Sequence, residues 1–468
     1  MNAFPEQARS ALKDGRLQHA LEHLKEGFQV RRANAFAQLF DPEGLREQAR
    51  LIRNAALTHL DELLLQFESK VQANGGHVHW ARDAAEARDI VTRILKERGA
   101  KTVTKGKSMV TEEIELNPHL VREGIKPIET DLGEYIIQLR NERPSHIVAP
   151  AFHLNRADVE ESFRKAHTTL PPERALDNRP ALVSEARAVL RKRFESADAG
   201  ITGANFLIAE TGTAIIVTNE GNGDLTRLLP KTHIVVTSIE KVVPALTDVS
   251  ILLRLLTRSA TGQEITSYVS LMSGPKRAGD ADGPEAFHVV LVDNGRSALL
   301  ASPVREILTC IRCGACMNHC PVYGAIGGHA YGAVYPGPLG AALDPGLDGI
   351  AKTYDLPNAS SFCGRCETVC PVKIPLTRIM QHWRGIAFAQ GLPSSAFATG
   401  LKWWAKVARS PKLYAFAAAA AARTLRTLAG SRARLSSFPI LKGWFVARDL
   451  PKPAATSFQA QWHKRQKK

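Results

Sequence analysis

The chain has 468 residues, 44% of them apolar, and carries 61 Lys and Arg against 46 Asp and Glu. Its length predicts two or three domains with a sizeable core, and its composition is that of an ordinary soluble protein. The start of the chain has no apolar h-region and no apolar run reaches the roughly 20 residues of a membrane span, which excludes a signal peptide and a spanning helix and predicts a cytoplasmic, reducing setting. The net charge of +15 is not spread evenly: residues 377–468 hold 17 Lys and Arg against one acid, Asp449, so this tail carries +16 and the rest of the chain −1.

Residues 1–75 are charged and helix-prone, with Ile52, Ala56, Leu60, Leu63, Leu64 and Phe67 at helical spacing between Glu43 and Lys70. Strand and helix patterns then alternate. Strands are predicted over 76–80, 101–104, 125–130 and 145–149. Helices are predicted over 84–97 and 132–139, with another starting at Asn117-Pro118. This alternation predicts an α/β domain with a largely parallel sheet. Residues 156–197 read as helical, broken near Pro171-Pro172. Short apolar strands follow at 205–209, 214–218 and 233–237, with turns at 210–213 and 219–224. A helix over 246–259 and a buried strand over 287–292 bring the domain to its end near residue 300.

All seven cysteines lie beyond that point, in Cys310-Ile-Arg-Cys313-Gly-Ala-Cys316-Met-Asn-His-Cys320-Pro321 and Cys363-Gly-Arg-Cys366-Glu-Thr-Val-Cys370-Pro371. The first run has the C-x2-C-x2-C-x3-C-P spacing of iron–sulfur ligation. The second repeats its last three cysteines at an offset of 50 residues, which also carries Gly314 onto Gly364, Pro321 onto Pro371 and Val322 onto Val372. Gaps of two residues force a tight turn in which sulfurs converge and backbone N–H groups point at the cluster. In two-cluster ferredoxins the fourth cysteine of each run serves the other cluster. By that rule Cys310, Cys313, Cys316 and Cys370 hold one cluster, and Cys320, Cys363 and Cys366 a second. The offset puts Ser360 in the eighth place. The second cluster is therefore a [3Fe-4S] cluster, or a [4Fe-4S] cluster whose last iron takes Ser360 oxygen, water, His329 or nothing. Disulfides favour an even, dispersed set of cysteines, and zinc ribbons do not use this spacing. Helices are expected before Cys310 and after Pro371, with a Gly-rich loop over 327–338. The long connection between the runs predicts a helical ferredoxin-like module.

Cys-Pro-Val-Tyr and Gly-Gly-His-Ala-Tyr-Gly within 310–340 resemble the lactate utilization iron–sulfur protein B family. So do 359–375, Lys105-Gly-Lys-Ser-Met109, Ala209-Glu-Thr-Gly-Thr213 and Gly443-Trp-Phe-Val-Ala-Arg-Asp449. The resemblance spans nearly the whole chain. It implies an α/β domain related to the ribose-phosphate isomerase and coenzyme A transferase folds, and two [4Fe-4S] clusters on the seven cysteines. It also implies two partner subunits with which the protein oxidises L-lactate to pyruvate. On that reading the chain is an electron-transfer subunit with no catalytic residue of its own, an acceptor the sequence does not name, and no nucleic-acid partner. Two alternatives stand beside it: a like-built subunit of a glycolate or glycerol 3-phosphate dehydrogenase, and an iron–sulfur nucleic-acid-binding protein using the basic tail.

The domains expected are a helical region over 1–75, the α/β domain over 76–300, the helical iron–sulfur module over 301–390 and the basic tail over 391–468. Without a nucleophile–base constellation, the α/β domain is expected to bind or dock. Lys105-Gly-Lys-Ser108 reads as a turn with solvated lysines, or as a cradle for phosphate or carboxylate; it lacks the full P-loop. Glu210 reads as a cap or turn residue, and His153, His319 and His329 as structural. In the tail, Trp403-Trp404 and the apolar run 413–422 between Lys412 and Arg423 are too short to span a bilayer. They read as a solvated helical face, or as a surface lying on the inner face of an anionic membrane or against an acidic partner.

Overall fold

Among the described residues ten strands up to residue 292 follow in chain order: β1 (His77–Ala81), β2 (Thr102–Lys105), β3 (Lys126–Glu129), β4 (Ala199–Thr202), β5 (Phe206–Ile208), β6 (Thr213–Thr218), β7 (Thr232–Ser238), β8 (Val242–Val243), β9 (Tyr268–Met272) and β10 (Ala286–Val292). They come from a computed structural model that describes residues 4–438, 445 and 448–467. It divides into two units, Met1–Ala387 and Phe388–Lys468.

In the first unit six strands form one sheet in the order β1-β10-β7-β4-β2-β3, every neighbouring pair parallel. Every residue of β7 and β10 is buried, because a parallel sheet is covered on both faces and its central strands read as apolar runs. Alternate residues serve opposite faces. Ile234, Val236, Val290 and Val292 pack with Val91, Ile94 and Leu95 of the helix Ala84–Glu97. Val235, Val289 and Leu291 pack with Leu64, Phe67 and Val71 of the helix Leu60–Ala73. In β4 a Cβ at Gly200 would stand 1.8 Å from the Thr226 carbonyl oxygen, so the close approach of the helix Asn222–Leu228 requires glycine there. A second, mixed sheet runs β8-β5-β6-β9.

The alternating α/β pattern is present, with local departures. Residues 145–148 are bends and Ala149 is irregular, so 145–149 is not a strand. His146 Nδ1 accepts from the backbone N–H of Val148 and Ala149 and folds the segment, while buried Ile147 supplies the strand-like apolar signal. Within 219–224, Asn222 already begins a helix. The helical run of 43–70 is two helices, Pro42–Thr58 and Leu60–Ala73, broken at His59.

After β10 the first unit is helical: among the described residues no strand lies between 293 and 387. A 3-10 turn, Arg305–Thr309, leads into the cysteines, and the helix Leu376–Ala389 begins after Pro371. The second unit holds the helices Ser395–Ala408, Pro411–Ala429 and Phe458–Gln466, with Ser394, Ser410 and Ser457 as N-caps. No helix among the described residues is long and apolar enough to cross a membrane. Of the stretch 443–449, residues 443, 444, 446 and 447 lie outside the described residues.

Candidate metal centre

The two cysteine turns are copies in backbone conformation. Arg312 (φ 58°) and Gly314 (φ 75°) in the first correspond to Phe362 (φ 54°) and Gly364 (φ 76°) in the second. Arg312 and Phe362 hold a left-handed conformation that costs a non-glycine residue energy and is kept where function needs it. Each turn runs into a four-residue helix, Ala315–Asn318 and Arg365–Thr368, at the same offset of 50. Backbone N–H groups point at sulfur: Arg312 donates to Cys310 Sγ at 3.4 Å, Tyr323 to Cys320 Sγ at 3.5 Å and Ile374 to Cys370 Sγ at 3.4 Å. In the second turn Phe362 N–H donates to Ser360 Oγ at 3.1 Å. The serine oxygen thus stands in the relation to its turn that Cys310 sulfur has to the first.

Cys310, Cys313, Cys316 and Cys370 line one small cavity, walled by Ile311, Leu339, Val372 and Ile374. Burial pushes the Cys313 and Cys316 thiols well up, and their sulfur neighbours raise them further. Burial likewise takes Cys370 up to about 11. The remaining three interact among themselves: burial, then Cys320, raises Cys366 to about 12, and Cys320 is raised by burial with Cys363 adding to it. Cys316 also feels Cys366, which links the groups. Thiols desolvated in this way ionise only against a cation. Convergent sulfurs, apolar walls and inward N–H groups are the donor set of an iron–sulfur site, and the residues fit that group. In the first set Cys313 and Cys370 are buried and Cys310 and Cys316 half-buried; in the second, Cys363 is exposed.

The sequence reading misses what grips these turns. Arg53, 1% exposed, donates to the carbonyls of Thr309 (3.2 Å), Leu308 (3.1 Å), Val242 (3.0 Å) and Glu240. Arg46 donates to the carbonyls of Cys370 (2.7 Å) and Thr368 (2.9 Å). Both arise from the helix Pro42–Thr58, seven residues apart, on the face that buries Ala49, Ala56 and Leu57. Arginine at apolar-stripe positions was the available signal. Arg32 adds a bond to the Val369 carbonyl at 2.8 Å. Beside the first turn, Glu240 is fully buried, 2.8 Å from Arg296 and 3.1 Å from Arg312. Burial alone would raise its carboxyl; the two guanidiniums prevail and hold it at about 2.

Lys105 is not solvated. It is buried and bonds Thr111 Oγ1 (2.9 Å), with Glu112 at 3.1 Å and Glu129 at 2.8 Å. Ser108 caps the short helix Met109–Glu113, and Lys107 donates to the Val148 carbonyl at 3.0 Å. Glu210 accepts from Leu246 N–H at 2.8 Å, a capping contact on the helix Leu246–Ala260. His319 Nδ1 donates to the Ala315 carbonyl at 2.9 Å. His329 Nε2 donates to the Arg143 carbonyl at 2.7 Å, and its ring meets that of His153 at 4.5 Å. His153 in turn bonds Glu142 at 2.9 Å and Ser145 at 2.8 Å.

Residues 64–292 match the LUD domain, 306–374 a 4Fe-4S dicluster domain, and 389–467 the C-terminal domain of lactate utilisation protein B. Lactate utilization protein B of Bacillus pumilus is 42% identical over 467 residues, 99% of this chain and 98% of that one. The Bacillus subtilis protein of the same name is 41% identical over 465 residues, covering 98% and 95%. The uncharacterized electron transport protein YkgF of Escherichia coli is 40% identical over 463 residues, covering 99% and 97%. Identity of this order, sustained over nearly the whole of both chains, places the protein in the lactate utilization protein B family.

Proposed function

We propose that the protein is the iron–sulfur electron-transfer subunit of a complex that oxidises L-lactate to pyruvate. Cys310, Cys313, Cys316 and Cys370 hold one [4Fe-4S] cluster, and Cys320, Cys363 and Cys366 hold three corners of a second. The observation that supports this reading is the convergence of the first four on one small cavity, with the other three grouped beside it and reaching the surface at Cys363. When bound, the clusters take up and pass on electrons singly; oxidation of a 2-hydroxy acid to a 2-oxo acid releases two.

The chain's own residues set the conditions for that traffic. The N–H groups of Arg312 and Ile374 offset negative charge on Cys310 and Cys370. Leu339, Val372 and Ile374 keep water from the first site. Arg46 and Arg53 fix both turns to the helix Pro42–Thr58, and Arg53 also bonds carbonyls of the α/β domain, spanning 76–300, whose task is to bind or dock. The exposed Cys363 side is where electrons are exchanged with a partner, one of two further lactate-utilization subunits. The basic region over 391–468 docks on an anionic membrane surface or an acidic partner face.

Metal analysis of the full chain purified without oxygen tests the reading. About eight irons per chain are expected for two cubanes, together with loss of growth on L-lactate when the protein is deleted. A colourless, zinc-loaded protein with full activity in its complex overturns it.

A further inference from the structure

At the carboxyl ends of β2, β4 and β7, where ligands gather on open α/β sheets, lies a cavity of about 320 Å³. Its walls include Lys107 and Ser108 after β2, Thr218 at the end of β6, Lys241, and Arg312 from the first cysteine turn. Lys241 is 6% exposed and the Arg312 side chain 9%. Arg312 Nη1 and Thr218 Oγ1 are buried with no hydrogen-bond partner. Lys241 Nζ makes no hydrogen bond and no ion pair among the described residues. Three donors on one cavity are therefore unanswered, two of them cationic, in a protein where such groups are costly to leave unpaired.

The charged groups around the cavity are unevenly paired. Asp131 answers Lys107 at 3.7 Å. Glu240 is shared by Arg312 and Arg296, and Glu113 answers Arg296 at 2.7 Å. Glu220, the other carboxyl in the wall, is pushed up by burial and then by Asp131. Lys241 has no carboxylate within ion-pair distance among the described residues, and burial, then Arg312, pulls its ammonium down to about 7, so an anion placed beside it would hold its charge. Water in the cavity satisfies a donor but not a charge.

We propose that this cavity binds a small monocarboxylate of the 2-hydroxy or 2-oxo acid class, held by Lys241, Arg312 and Thr218. The carboxylate takes the two cations, and the third oxygen of such an acid takes the remaining donor. The choice of acid rests on the electron-transfer reading above; the anion site itself rests on the unanswered donors. Arg312 ties the site to the first cluster position, because its side chain lines the cavity while its backbone N–H donates to Cys310 Sγ. A bound anion and the cluster share that cation. Occupancy disfavours adding an electron to the cluster, and reduction weakens the anion by the same factor.

The test uses the full chain with its iron complete, handled without oxygen. Pyruvate, L-lactate and inorganic phosphate are each titrated calorimetrically, and the cluster midpoint potential is read with and without pyruvate. Saturable binding of an acid is expected, weakened tenfold or more by Lys241→Met at unchanged iron content, with a shift of one cluster to more negative potential on saturation. Thr218→Val, which keeps shape and charge, is expected to weaken binding severalfold and serves if Lys241→Met does not hold iron. The proposal is overturned if clusters are complete and reducible yet no acid binds, if phosphate binds and the acids do not, or if the variants bind as the parent does. A cation that serves the cluster alone moves the potential of Lys241→Met without pyruvate and leaves no pyruvate-dependent shift, which also overturns it. Absent or irreducible clusters instead refute the electron-transfer reading, so the two failures are distinct.

Discussion

Ser360 shows how one side chain sets the chemistry of a repeated turn. Its Oγ accepts from Phe362 N–H as Cys310 Sγ accepts from Arg312 N–H, so on the two-cluster reading proposed above Ser360 would offer oxygen at the eighth ligand position. A hydroxyl is far harder to ionise than a thiol and is the poorer ligand for iron. Mild oxidation of the full chain is therefore expected to give a [3Fe-4S] paramagnetic resonance signal from one cluster, and Ser360→Cys to suppress it. An unchanged signal in that variant sends the search for the weak corner elsewhere. His233, buried in β7 against Thr202 at 2.9 Å, carries a different consequence. Burial, then Arg227 and His288, lowers its imidazole from 6.5 to about 3. Below about pH 6.5 the unfolded chain takes up a proton that the folded chain refuses, so stability falls as pH falls. Between pH 7 and 5.5, His233→Gln is expected to lose less stability than the parent, by up to ~1.4 kcal/mol per pH unit. Urea midpoints at the two pH values, with iron retained, measure it; equal losses count against the assignment.

At the scale of the element, the helix Pro42–Thr58 does more than cover the sheet. Arg53 supplies donors to four carbonyls, those of Glu240, Val242, Leu308 and Thr309. Arg53→Met keeps much of the volume and leaves all four unanswered in the interior. A loss of at least ~3 kcal/mol is expected, with iron lost sooner on dilution, read by urea unfolding and metal analysis. A variant of parental stability would show that water replaces the guanidinium. The same helix marks the limit of what sequence displays. Its apolar spacing is plain, and so are β10 and the cysteine turns, since each declares itself through period or spacing. That spacing does not reveal what Arg46 and Arg53 hold, because burial of a guanidinium depends on carbonyls more than 180 residues away in sequence. β4 escaped for the opposite reason: its four residues include Gly200, needed for a neighbouring helix rather than for the strand. The false strand at 145–149 has one buried apolar side chain, Ile147, in a turn around His146.

At the scale of the whole molecule, charge and chemistry fall in different units. The cysteines lie in Met1–Ala387, while Phe388–Lys468 holds 15 Lys and Arg against one acid, nearly all the excess positive charge. Within the second unit Trp403, Trp404 and Phe416 are 63%, 58% and 75% exposed, among Lys402, Lys406 and Lys412. Large exposed apolar groups among cations are the composition of an interfacial surface. Removal of residues 400–468 is expected to leave the iron content unchanged and to release the protein from anionic vesicles or from its partners, and salt is expected to weaken the intact protein's attachment. Unchanged sedimentation with vesicles and unchanged partner pull-down would refute this. The grip of Arg46 and Arg53 on the cysteine turns also has a consequence in time. Synthesis runs from the amino end, and Thr309 follows Arg53 by 256 residues, a delay of about 13 to 50 s at ordinary translation rates. The receiving helix is thus made well before the turns it holds, and the last cysteine emerges later still. Cofactor loading is then a late step on a scaffold already under construction, so a cell starved of iron is expected to accumulate chains with the sheet built and the turns unfilled.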